Sequence, residues 1–140
     1  MKYFLIIWIT LSAQTLKSDE MIGLKDYMNS HSPEDPAVMS YVASRCSAVF
    51  SVSASFSKEG SEMYKRFENN ASSFILLSFQ IQKKINPNAE SNETESRVMK
   101  TIEGIGSTYI NQANKNFLDN GTYFNELMLD DIELCNMLDI

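Results

Sequence analysis

Met63, Phe67, Ala71, Phe74, Leu77, Ile81 and Ile85 recur every three or four residues. A stripe held over about seven turns of a 3.6-residue period fits an amphipathic helix and no strand. Ser61 suits its N-cap, and Asn86-Pro87-Asn88 stops it, so the spacing predicts a helix over 61–85. The run Phe74-Ile75-Leu76-Leu77 is apolar on all sides, which marks this helix as the central element.

The same period returns three more times. Val38, Val42, Cys46 and Val49, joined by Phe56, predict a helix over 36–57, with Pro36 in its first turn and Asp35 as N-cap. Its other faces carry mostly Ser and Ala, which suits close packing of neighbouring helices more than a polar docking groove. Val98, Ile102, Ile105, Tyr109, Ala113 and Phe117 predict a helix over 92–117 with an acidic first turn. Gly104 and Gly106 interrupt it, as at a tight crossing, a kink or a place where a ligand meets bare backbone. After the Asp119-Asn120-Gly121 turn, Thr122 opens a last helix whose apolar face includes Phe124, Leu127, Met128, Leu134 and Cys135.

These stripes predict an all-α fold: a single-domain antiparallel bundle of about four helices. A chain of 140 residues suffices for one such core and not for two. Residues 1–18 stand apart. Lys2 precedes a continuous apolar run from Tyr3 to Leu11, broken only by Thr10, and small polar residues follow. That is the layout of a secretory signal peptide, with cleavage expected somewhere in 13–18. Its apolar run is too short to span a bilayer, so no stable membrane insertion is expected after cleavage. Residues 19–36, rich in breakers, are expected as a mobile N-terminal arm with at most a short helix near Glu20–Asn29, leaving 37–140 as the helical domain.

Cys46 and Cys135 are the two cysteines, and an exported chain meets conditions in which a disulfide persists. Their spacing fits neither a zinc knuckle nor a redox CxxC. In an up-down-up-down path the first and last helices are neighbours running oppositely. That places the two cysteines in the same half of the bundle, so a Cys46–Cys135 bridge is expected. Asp131 interrupts the apolar stripe of the last helix, where a carboxylate is costly unless paired. Arg45 precedes Cys46, so the bridge would carry it beside Asp131, and an Arg45–Asp131 ion pair is expected to fix the register of the two helices. An Arg45-Cys46-Ser47-Ala48 string in a helix with a second cysteine near the C-terminus resembles the layout of small exported bacterial helical proteins. Acid-stress periplasmic chaperones share that outline, which carries over no site.

The function classes narrow by exclusion. A net charge of −6, which becomes −8 once Lys2 and Lys17 leave with residues 1–18, argues against nucleic-acid binding. One histidine, His31, and no Walker loop, GxGxxG, HExxH or CxxC leave no recognisable catalytic, cofactor or metal set. Asp119, Glu126, Asp130, Asp131, Glu133 and Asp139 crowd the C-terminal end without EF-hand spacing. Glu59, Glu62, Glu68 and Glu103 are expected as solvated helix-face acids rather than a hydrolytic pair. The expectation is an exported, non-enzymatic helical protein, periplasmic or secreted, that acts by binding another protein: a chaperone, an inhibitor or immunity protein, or a stress-response factor. The alternative is a small-ligand carrier with a pocket between helices near Gly104 and Gly106.

Overall fold

The computed structural model describes residues 21–138, all helix and connecting segments, with no strand among them. The signal-peptide expectation for residues 1–18 lies outside the described residues, as does Asp139. Among the described residues there are five helices rather than about four: α1 Leu24–Ser30, α2 Pro36–Ser55, α3 Glu62–Ile85, α4 Ser91–Asn120 and α5 Glu126–Met137. No helix among the described residues is long and apolar enough to cross a membrane.

Local chemistry sets most of the boundaries. The Asp35 carboxylate accepts the Ala37 amide at 2.8 Å and Pro36 fills the first turn of α2. Ser61 accepts the Tyr64 amide at 3.1 Å to open α3. At the end of α4, Gly121 takes a left-handed conformation with φ +75° and returns its amide to the Phe117 carbonyl. That is a helix stop for which glycine is the favoured residue. Helix α4 therefore runs three residues past the expected end at 117 and passes through Gly104 and Gly106 as one continuous helix.

Helix α5 starts later than expected. Asn125, not Thr122, caps it, accepting the Met128 amide at 2.8 Å. The reason lies in the preceding linker. Asn116 donates to the carbonyls of Thr122 (2.7 Å) and Phe124 (3.3 Å), and Tyr123 stacks between Phe56 and Phe117 with ring centroids 4.3 and 4.4 Å away. With those carbonyls engaged sideways, residues 122–124 are held out of helix.

The central element is α2, not α3. Fourteen of its twenty residues are buried, whereas α3 buries only Ala71, Phe74 and Ser78, and Leu76 in the apolar run is 57% exposed. The small side chains of α2 let neighbours approach from several sides at once, and α3, α4, α5 and α1 all pack against it. Ser40 and Ser44 meet Ser78, and Ser40 meets Gln82, while Phe50 packs on Phe67 and Phe74. Helices α2 and α3 thus run in opposite directions. Phe50, Val42, Val49, Leu24, Tyr109 and Met128 are among the largest side chains sealed in the core.

Within the span expected as a mobile arm, α1 is tied down: Leu24 is fully buried, and Tyr27 stacks on His31 and packs against Tyr41 of α2. Neither helical glycine is required by a close approach. A Cβ on Gly106 would meet Val52 at an ordinary 3.7 Å, and one on Gly104 would meet nothing within 4 Å. Gly104→Ala should therefore raise stability by up to about 1 kcal/mol, the helix-propensity difference at an exposed interior position. Denaturant unfolding that finds Gly104→Ala destabilising would show that bare backbone at this position matters.

Candidate functional site

The structure brings together all four residues singled out in the sequence. Cys46 of α2 and Cys135 of α5 form a disulfide with their Cα atoms 5.6 Å apart, within the usual range for such bridges. One residue earlier on α2 and one turn earlier on α5, the Arg45 guanidinium meets the Asp131 carboxylate at 2.6 Å. The bridge and the ion pair therefore reinforce one register of α5 against α2.

The cluster is larger than a pair. Arg45 Nε donates to Asp131 Oδ2 at 3.0 Å and also to the Tyr109 hydroxyl at 2.9 Å, while Arg45 Nη2 donates to Asp131 Oδ2. The Tyr109 hydroxyl, from α4, donates its own proton to Asp131 Oδ2. The other carboxylate oxygen, Oδ1, accepts the backbone amide of Leu24 at 2.8 Å. Leu24 opens α1, whose N-cap residue, Gly23, has no side chain to offer. Asp131 thus does from α5 what a local Ser or Asp does for an ordinary helix. One carboxylate joins α1, α2, α4 and α5.

This cluster is sealed. Arg45 and Tyr109 are 0% exposed and Asp131 1%. Burial pushes the Tyr109 hydroxyl far above the usual tyrosine range; the Asp131 charge adds to the rise and Arg45 only partly offsets it. Burial by itself would lower the Arg45 pKa, but its interactions with Tyr109 and Asp131 outweigh that and hold it raised. Tyr109 stays protonated and Arg45 stays charged through the physiological range. Arg45 Nε and Nη2, the Tyr109 hydroxyl and the Leu24 amide converge on one carboxylate, and a locked phenol offers neither a base nor a nucleophile. The arrangement is suited to fixing helices to one another.

Sequence reasoning missed two members. By spacing alone, Tyr109 is one more residue of the apolar stripe of α4. Its signal was available, because a buried tyrosine hydroxyl needs a partner and Asp131 was the buried acid in search of donors. The Leu24 amide carries no side-chain signature and could not have been found that way.

The remaining candidates separate. Asp131 is spent on Arg45, so it does not belong to an exposed acidic end, and among the described residues no three Asp, Glu, His or Cys side chains gather as a metal site would need. His31 stacks on Tyr27 at an exposed turn. Gly104 and Gly106 open onto different grooves. Gly104 lies in one of about 400 Å³ with Met21, Ile22, Tyr41 and Arg45; Gly106 lies in another, also about 400 Å³, with Val52, Ile102 and Ile110. Comparison with known proteins finds no matching family model, no matching curated protein and no matching solved structure.

Proposed function

We propose that this chain is an exported binding protein without catalytic activity, periplasmic or secreted, whose partner is another protein. In this reading α2–α5 make an antiparallel four-helix bundle, with α1 strapped across it by Asp131. The observation that carries the proposal is the division of the molecule. The side chains with the most chemistry are locked inside, whereas large apolar side chains stand outside. Leu118 is 84% exposed, and on α5 Leu129 and Met137 share an exposed face with Asp130 and Glu133. No basic residue follows Lys115, so this face suits a partner surface that is apolar and basic rather than nucleic acid. The buried disulfide accords with an oxidising compartment. The role is that of a chaperone, an inhibitor or immunity protein, or a stress-response factor.

Capture from an exported extract tests this. The mature protein should retain one protein in a fixed ratio, and the double change Leu129→Asp, Met137→Asp should abolish retention without moving the melting temperature. Retention of nothing, or retention indifferent to those changes, overturns the proposal.

A second reading, a small-ligand carrier, is favoured by the groove beside Gly104, because Arg45, which lines it, keeps a buried donor without a partner among the described residues. Native mass spectrometry of the purified protein would then show a co-purifying small molecule.

A further inference from the structure

The Arg45 guanidinium is only half used. Its Nε–Nη2 edge faces Asp131 and Tyr109, as described above. The remaining nitrogen, Nη1, points away from that edge and is buried with no hydrogen-bond partner among the described residues. Buried donors of a charged group are rarely left unmatched in folded proteins. Arg45 also lines the groove whose walls are Tyr41 of α2, Ile105 and Thr108 of α4, and Met21 and Ile22 ahead of α1. The groove is open at Gly104, where α4 contributes no side chain and a Cβ would touch nothing. Ile22 is 53% exposed and belongs to no helix, so one lip of the groove is held by a short lead rather than by a packed element.

We propose that this groove binds a small apolar molecule through an uncharged carbonyl oxygen, as in an amide, which accepts an N–H of Arg45 Nη1. The proposal rests on the carrier reading and supplies its ligand chemistry. Nη1 can only donate, so a protonated amine, which has no lone pair to offer, finds nothing to bind. A carboxylate would accept the same bond, but the charge of Arg45 is already balanced by Asp131 at 2.6 Å, and a second buried anion would be left uncompensated. An uncharged carbonyl satisfies the donor without adding charge. Met21, Ile22 and Ile105 give the rest of the molecule apolar walls. Arg45 itself has no exposed surface, so the Met21–Ile22 lip must part for the oxygen to reach it.

The test is an NMR titration of the full mature chain, following the Arg45 guanidinium nitrogens and the Ile105 methyl groups. Hexanamide, hexanoate and hexylamine serve as probes of equal length. Hexanamide should shift both sets of signals saturably and bind about tenfold or more tighter than hexanoate, and hexylamine should leave the guanidinium signals in place. Gly104→Leu, which fills the mouth without touching Arg45, should weaken hexanamide binding about tenfold or more without lowering the melting temperature. Hexanoate binding as tightly as hexanamide overturns the carbonyl assignment while leaving a carrier in place. A water that stays at Nη1 through saturating hexanamide shows a site for resident water only and overturns the proposal. A co-purifying molecule still held by Gly104→Leu places the carrier's ligand elsewhere and overturns this site alone. Absence of both probe binding and any co-purifying molecule overturns site and carrier together.

Discussion

Replacing Arg45 by alanine should cost about 3–5 kcal/mol of folding stability, the range for stripping one partner from a buried ion pair. The size follows from what is left behind. Asp131 would be left at 1% exposure with the Tyr109 hydroxyl and the Leu24 amide as its remaining donors. Arg97 is the matched control. It pairs with Glu93 at 3.1 Å, one turn away on α4, but both side chains are about half exposed, 47% and 63%. Such a pair contributes only about 0.3–0.5 kcal/mol. Denaturant unfolding of the two variants side by side checks the claim. Equal losses at Arg45 and Arg97 would mean that the buried cluster contributes nothing beyond an ordinary surface contact.

Removing the disulfide should have the other large effect. Cys46 and Cys135 are 89 residues apart. Opening a loop of that size costs about 4–5 kcal/mol where the bridge acts by restricting the unfolded chain. A domain of this size has roughly 5–15 kcal/mol in total, so the doubly substituted protein, Cys46→Ser with Cys135→Ser, should melt far below the oxidised one. Helix α5 should be the first element lost. It has twelve residues and buries only Met128, Asp131 and Cys135, of which one is the bridge itself and another is the ion-pair partner. Losing α5 removes the cap on α1, so amide exchange at Leu24 should accelerate together with that of Met128. A doubly substituted protein that melts with the oxidised one would show that packing alone holds α5.

The long amphipathic helices were legible from spacing. The stripe from Met63 to Ile85 led to 61–85 and α3 spans Glu62–Ile85; the stripe from Val98 to Phe117 led to 92–117 and α4 spans Ser91–Asn120. A helix with one wet face writes that face into its sequence. Helix α2 does not, because it is buried nearly all round and uses Ser and Ala where an apolar residue would mark the core. Its central place was assigned instead to α3, whose Leu76 turned out to face solvent. The start of α5 was missed because it depends on Asn116 reaching across to the carbonyls of 122 and 124, a tertiary contact with no local trace. The site was half legible. A charge inside an apolar stripe announces that it needs a partner, and the neighbouring cysteine located one in Arg45. What that logic could not supply was a backbone amide from a segment with no helical period at all.

Arg45 and Asp131 act as one buried unit that holds α5, and through it α1, to α2. A double-mutant cycle measures this directly, using the unfolding free energies of the wild type, Arg45→Ala, Asp131→Asn and the two changes combined. Strong coupling is expected: the double variant should lose less than the sum of the two single losses, by about 1.5–3 kcal/mol. Losses that add to within about 0.5 kcal/mol would contradict it, because residues that do not interact behave in that way.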